Sequence, residues 1–128
     1  MEFIDTIEMN QEKFDFSIWE RNLARKEQDR EKLRQTVLVR LDEALKVLSE
    51  KYSWEEIFIF GSMTCKGAFH DGSDVDVGIE GLNPLDHYAF VADISSLLER
   101  DVDVVILEEC GFADRIKEKG QKWLMKKE

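Results

Sequence analysis

Cysteine, histidine and proline are scarce in this chain and basic residues are outnumbered by acidic ones, and each shortage removes a class of answers. The two cysteines, Cys65 and Cys110, lie far apart with no CxxC spacing, and there are only two histidines. A thiolate zinc site is therefore not expected, nor is a disulfide in a reducing compartment. No run approaches the roughly 20 apolar residues of a membrane span. The opening MEFIDTIEMN lacks the basic head and apolar stretch of a secretory signal, so a cytoplasmic protein with no membrane partner is expected. Eighteen basic residues against 28 acidic ones give a formal charge of -10. That surface repels a phosphate backbone, so direct nucleic-acid binding is not expected, whereas a divalent cation or a protein with a basic face suits it.

What remains is the composition of a globular protein, 43% hydrophobic and 36% charged, and 128 residues suffice for one domain with a modest core. Residues 1–29 form an amino-terminal arm of uncertain structure. Phe14, Phe16 and Ile18 alternate as in a short strand, whereas Trp19 and Leu23 have helical spacing. The arm either packs on the domain or offers a surface for a partner or a second copy, because its aromatics would otherwise expose apolar area. Residues 30–128 read as the folded domain. Leu33, Val37, Leu41, Ala44, Leu45 and Leu48 make one apolar stripe of a helix over 30–51, which could begin as early as Ile18.

IFIF at 57–60 is short, aromatic and branched, as a buried strand should be. Gly61 and Ser62 follow, then a short helical turn and a loop through Gly67 to Gly72-Ser73. The next apolar run carries Asp74 and Asp76, whose spacing puts them on one face of a strand while Val75, Val77 and Ile79 face the core. After the Asn83-Pro84 turn, Phe90, Ile94, Leu97 and Leu98 describe an amphipathic helix, and DVDVVIL at 101–107 is a third strand. Residues 112–127 read as one last helix or two short ones. Lys117, Lys119, Lys122, Lys126 and Lys127 in that stretch form either a solvated face or a surface for substrate or partner. This order of elements predicts a small α/β sheet covered by helices on at least one side.

Alone, Gly-Ser after a strand is often only a turn, and Asp-x-Asp is often a solvated strand end. Together with Asp103 on a later strand they describe something else. Three converging carboxylates repel one another unless a cation compensates, and an all-oxygen donor set suits magnesium or manganese. Two such ions can clamp a triphosphate during phosphoryl or nucleotidyl transfer.

Gly61-Ser62, Gly67, Ser73-Asp74-Val75-Asp76 and Val102-Asp103-Val104-Val105 resemble the minimal nucleotidyltransferases of the DNA polymerase β superfamily, over about residues 33–125. The resemblance implies a polymerase β-like α/β (α+β) fold, a small mixed sheet flanked by helices. It also implies a nucleoside triphosphate, most simply ATP, bound with two magnesium ions. Gly61 and Ser62 would hold phosphates beside Ser73; Asp74, Asp76 and Asp103 would be both catalytic and metal-ligating. Asp103 fits the pattern better than Asp101, and Lys66 is added as a phosphate contact on proximity. Small members of the family are often the antitoxin of a helical HEPN-type partner, to whose tyrosine they attach AMP. This chain is similar to those members in size. A binding module without turnover, transfer to a small molecule or nucleic acid, and a homo-oligomer all stay open. The loop 63–73 is one residue longer than in many relatives, and MTCK lacks their arginine-containing stretch.

Overall fold

The computed structural model describes residues 16–124. Phe3, Ile4, Ile7 and Phe14 of the arm, and Lys126 and Lys127 of the basic tail, lie outside the described residues. Neither glycine nor proline occurs before Gly61, and α1 runs without a break from Phe16 to Lys51. Those 36 residues extend about 54 Å at 1.5 Å per residue. Phe16 and Ile18 are thus helical rather than alternating along a strand. Residues 16–30 are all exposed, and burial starts at Glu31 and Leu33. Val37, Leu41, Ala44, Leu45 and Leu48 are the buried stripe, as their spacing predicts.

Four strands follow: β1 (Glu56–Phe60), β2 (Val75–Glu80), β3 (Val102–Ile106) and β4 (Gln121–Lys122). They form one mixed sheet in the order β3-β2-β1-β4, with β1 antiparallel to β2 and β4, and β2 parallel to β3. The crossover between β2 and β3 is α2 (His87–Leu98), which follows a 3-10 turn that starts at Pro84. Asn83 caps that turn by accepting from Leu85 N. α2 ends at Glu99 in the left-handed region, φ +52°, where its N–H closes onto Ser95 O and Ser96 O.

Side-chain alternation sorts the strands into two faces. Ile57, Ile59, Val75, Val77, Ile79, Val102 and Val104 join Leu41, Leu45, Phe90 and Ile94 in the main core beneath α1 and α2. On the other face Phe58, Leu107 and Ile116 make a smaller core under α3 (Ala113–Lys119). Gly78 allows this second packing, since a Cβ there would come 2.9 Å from Leu107 Cδ2. A sheet flanked by helices is what the order of elements predicts, here with helices on both sides.

The carboxy-terminal stretch departs from the expected helix or pair of helices. α3 has only seven residues, and Gln121–Lys122 form an edge strand on β1. Gly120 sets the change: a Cβ there would lie 2.5 Å from Ile116 O and 3.0 Å from Ile59 O, so only glycine lets the chain turn this close to the sheet. The new strand places Lys122 against Glu56 at 3.2 Å, and Lys117 pairs with Glu80. Glu56 and Glu80 are direct cross-strand neighbours, so the two lysines offset a like-charge pair.

Candidate active site

Asp76 is the centre of the site, and strand register explains its neighbours. It lies opposite Phe60 on β1 and opposite Asp103 on β3. Strands in a sheet are about 4.8 Å apart, so Asp76 and Asp103 are adjacent in one row, with Asp74 just before β2 begins. The row lies at the rim of the sheet face that carries the smaller core. Burial, then Asp103, then Asp74 hold the Asp76 carboxyl above its ordinary range. Asp74 and Asp103 are exposed. None of the three side chains takes part in a hydrogen bond or ion pair among the described residues, so no described cation offsets their charge. Asp101, by contrast, stands before β3 and contributes its carbonyl, which accepts from Val75 N at 3.1 Å.

Gly61 ends β1 with φ +73°, and a Cβ there would overlap Asp76 Oδ2. The glycine therefore has two reasons to be glycine: its backbone angle, and the carboxylate lying against it. Ser62, half-buried, follows in a 3-10 turn, Gly61–Thr64. Met63 is fully buried and anchors the turn, while Thr64 Oγ1 donates to Gly61 O at 2.8 Å. From α1, Arg34 Nη1 donates to Met63 O at 2.9 Å while its other nitrogens fork onto Glu31 at 2.7 and 3.0 Å. These bonds, with one from Gln35, pull the Glu31 carboxyl down to about 2. Arg30 donates to Gly67 O at 3.4 Å, farther along the loop.

The other end of the loop is held by Arg100. Its Nη1 donates to Ser73 O at 2.6 Å, Asp71 O at 3.1 Å and His70 O at 3.4 Å. The guanidinium also sits 4.9 Å over the ring of Phe69, which is fully buried. Ser73 Oγ accepts from His70 N at 3.0 Å, closing the turn that leads into Asp74. Thus Asp74 is bracketed by Ser73, tied to Arg100, and Val75, tied to Asp101. One charged nitrogen is thus shared among three carbonyls, of which His70 O also accepts from Ser73 N at 2.9 Å.

The residues singled out by sequence fall into two groups. Gly61, Asp76 and Asp103 are brought together where β1, β2 and β3 meet, with Ser62 next to Gly61 and Ser73-Asp74 leading into β2. Lys66 instead turns toward α1, where it borders a groove with Glu27 and Glu31 and contributes to the lowered Glu31 carboxyl. Arg34 and Arg100 escaped the sequence because their roles need contacts across 29 and 27 residues. The run of basic residues in the tail was legible, but the i, i+4 spacing of Arg115 and Lys119 was the signal that would have put both on one face of α3.

The donor set suits a hard divalent cation, being three carboxylates with no competing basic partner. Among the described residues, no three His, Cys, Asp or Glu side chains stand close enough to hold an ion as they are. Also among the described residues, no helix is long and apolar enough to cross a membrane.

A family model described as "Polymerase beta, Nucleotidyltransferase" matches residues 42–128, about two thirds of the chain. The match takes in all four strands and every residue of the rim. No curated protein and no solved structure matches the chain.

Proposed function

Because the chain belongs to the polymerase β nucleotidyltransferase family, we propose that it is a magnesium-dependent nucleotidyltransferase that moves AMP from ATP to a tyrosine hydroxyl of a helical, HEPN-type partner, acting as its antitoxin. The observation that carries the reading is the row Asp103–Asp76 across two parallel strands with Asp74 beside it, and Gly61 packed where a Cβ would strike Asp76. Asp103 and Asp74 act on Asp76 as like charges, a repulsion that a bound cation would relieve.

In this reading Asp74, Asp76 and Asp103 hold two magnesium ions, which when bound supply the positive charge that a triphosphate and its transition state need. Gly61 and the amides of the turn after it approach the phosphates without side-chain obstruction, and Ser62 adds a hydroxyl. Ser73, fixed by Arg100 on its carbonyl side, orients Asp74. Asp103, an exposed member of the row, accepts the proton from the incoming hydroxyl. That oxygen forms a bond to the α-phosphorus as the bond to the bridging oxygen breaks, and pyrophosphate leaves with the electron pair.

The partner is proposed to dock on the outer part of α1. Ile18, Trp19 and Leu23 are each between 42% and 52% exposed on the part of the helix that precedes the buried stripe. That surface also supports a second reading, a module that neutralises the partner by contact without turnover.

The two separate cleanly. Purified chain, its co-expressed helical partner, magnesium and α-labelled ATP should yield a labelled partner carrying one added AMP by mass spectrometry. A D74N/D76N variant should lose the label. If that variant still protects cells and no label forms with wild type, the binding module is correct and transfer is not.

A further inference from the structure

On the same sheet face as the carboxylates, a cavity of about 480 Å³ opens between the end of β1 and α3, lined by Phe60, Gly61, Phe112, Arg115 and Lys119 among others. Its size falls in the range of small-ligand sites, and its walls are largely apolar. Gly61 belongs both to this cavity and to the acid row, since Asp76 lies against it and opposite Phe60. The cavity and the carboxylates are therefore two halves of one continuous surface.

Charge singles this cavity out. Arg115 and Lys119 are one helical turn apart on α3 and both are exposed. Neither takes part in a hydrogen bond or ion pair among the described residues, although their neighbours Lys117 and Lys122 are paired with Glu80 and Glu56. A chain of net charge -10 that leaves two cations unpaired on one wall of an apolar cavity matches a ligand that is part ring and part polyanion. Phe112, 55% exposed at the mouth, offers a face for stacking.

We infer that this cavity is where the nucleoside triphosphate lies, with its ring against Phe112 and its phosphate chain passing Gly61 under Arg115 and Lys119. The inference rests on the transferase reading above and adds the cationic partners that the loop lacks, since Lys66 faces α1. It assigns recognition of the nucleotide to the short last helix rather than to the loop between Ser62 and Asp74.

Isothermal titration of the full chain with magnesium-ATP, and separately with magnesium-tripolyphosphate, tests it. An R115Q/K119Q variant should bind both ligands about tenfold more weakly or worse, as expected for lost charge-assisted contacts. F112A should weaken ATP several-fold and leave tripolyphosphate unchanged. R25Q/K32Q, which removes two charges from α1, should match wild type. Wild-type affinity for both ligands in R115Q/K119Q, or an equal loss in R25Q/K32Q, overturns the inference. If ATP binding is lost in D76N yet intact in R115Q/K119Q, the transferase reading stands and this one fails. If wild type binds neither ligand, both fail.

Discussion

Asp76→Asn should make the metal-free protein more stable while abolishing transfer. Asp76 is partly buried, and after burial the main influences on it are Asp103 and Asp74, both raising its pKa. Strand spacing puts the Asp76 and Asp103 carboxylates roughly 5 Å apart or more. Two like charges at about 5 Å repel by about 3 kcal/mol at an effective dielectric of 20, and by under about 1 kcal/mol in bulk water. Since Asp103 and Asp74 are exposed, the lower figure governs, and the variant should gain about 1 kcal/mol, or roughly 4 °C in Tm for a domain of this size. The sign follows from linkage. A carboxyl whose folded pKa lies above the unfolded value of 3.8 binds more protons in the folded state between the two values, so stability falls as pH rises through that window and stays lowered at pH 7. The assay is thermal and urea unfolding of wild type and D76N, in EDTA and in millimolar magnesium, at pH 7. In EDTA the variant should be the more stable; magnesium should raise the wild type and leave the variant where it was, because only a folded-state binder is stabilised by mass action. A variant less stable than wild type in EDTA, or equal stabilisation of both by magnesium, would refute the electrostatic reasoning.

Other substitutions probe the parts around that row. Gly61→Ala adds a Cβ at φ +73° against the Asp76 carboxylate, so urea unfolding should show a loss of more than about 1 kcal/mol, and nucleotide binding should fall with it. Arg100→Met keeps the bulk over Phe69 but removes the donor to Ser73, Asp71 and His70; amide exchange should quicken across residues 70–74, with stability down by about 1.5–3 kcal/mol. Glu99→Gly relieves a left-handed residue at the end of α2, and denaturant unfolding should show a gain of about 1 kcal/mol, since the 3.9 Å ion pair with Arg40 is exposed and weak.

Local patterns carried further here than pairing did. The stripe Val37, Leu41, Ala44, Leu45, Leu48 is buried because helical period alone assigns it one face, whatever that face meets. Likewise the strands at 56–60 and 102–106 and the short turn after Gly61 follow from spacing of residues near in sequence, whereas Asp74 stands one residue before β2 rather than within it. The strand at 121–122 has no such pattern; two residues become a strand only because Gly120 lets them reach the edge of β1. The direction of Lys66 was equally illegible, since a loop side chain points to whichever charge the fold brings near, and here that is Glu31 on α1.

By itself the chain of residues determined that three acids and a glycine turn would stand at the ends of strands, because alternation and the absence of breakers are properties of neighbours. The family resemblance already favours Asp103 over Asp101, but only the tertiary structure sets Asp103 directly beside Asp76, since that depends on parallel register between strands separated by a whole helix. It also decided which cations serve the rim. Arg100 reaches the loop, Lys117 and Lys122 are taken up by glutamates, and Arg115 and Lys119 have no ion-pair partner among the described residues, an allocation set by the packing of α3 and β4 against the sheet.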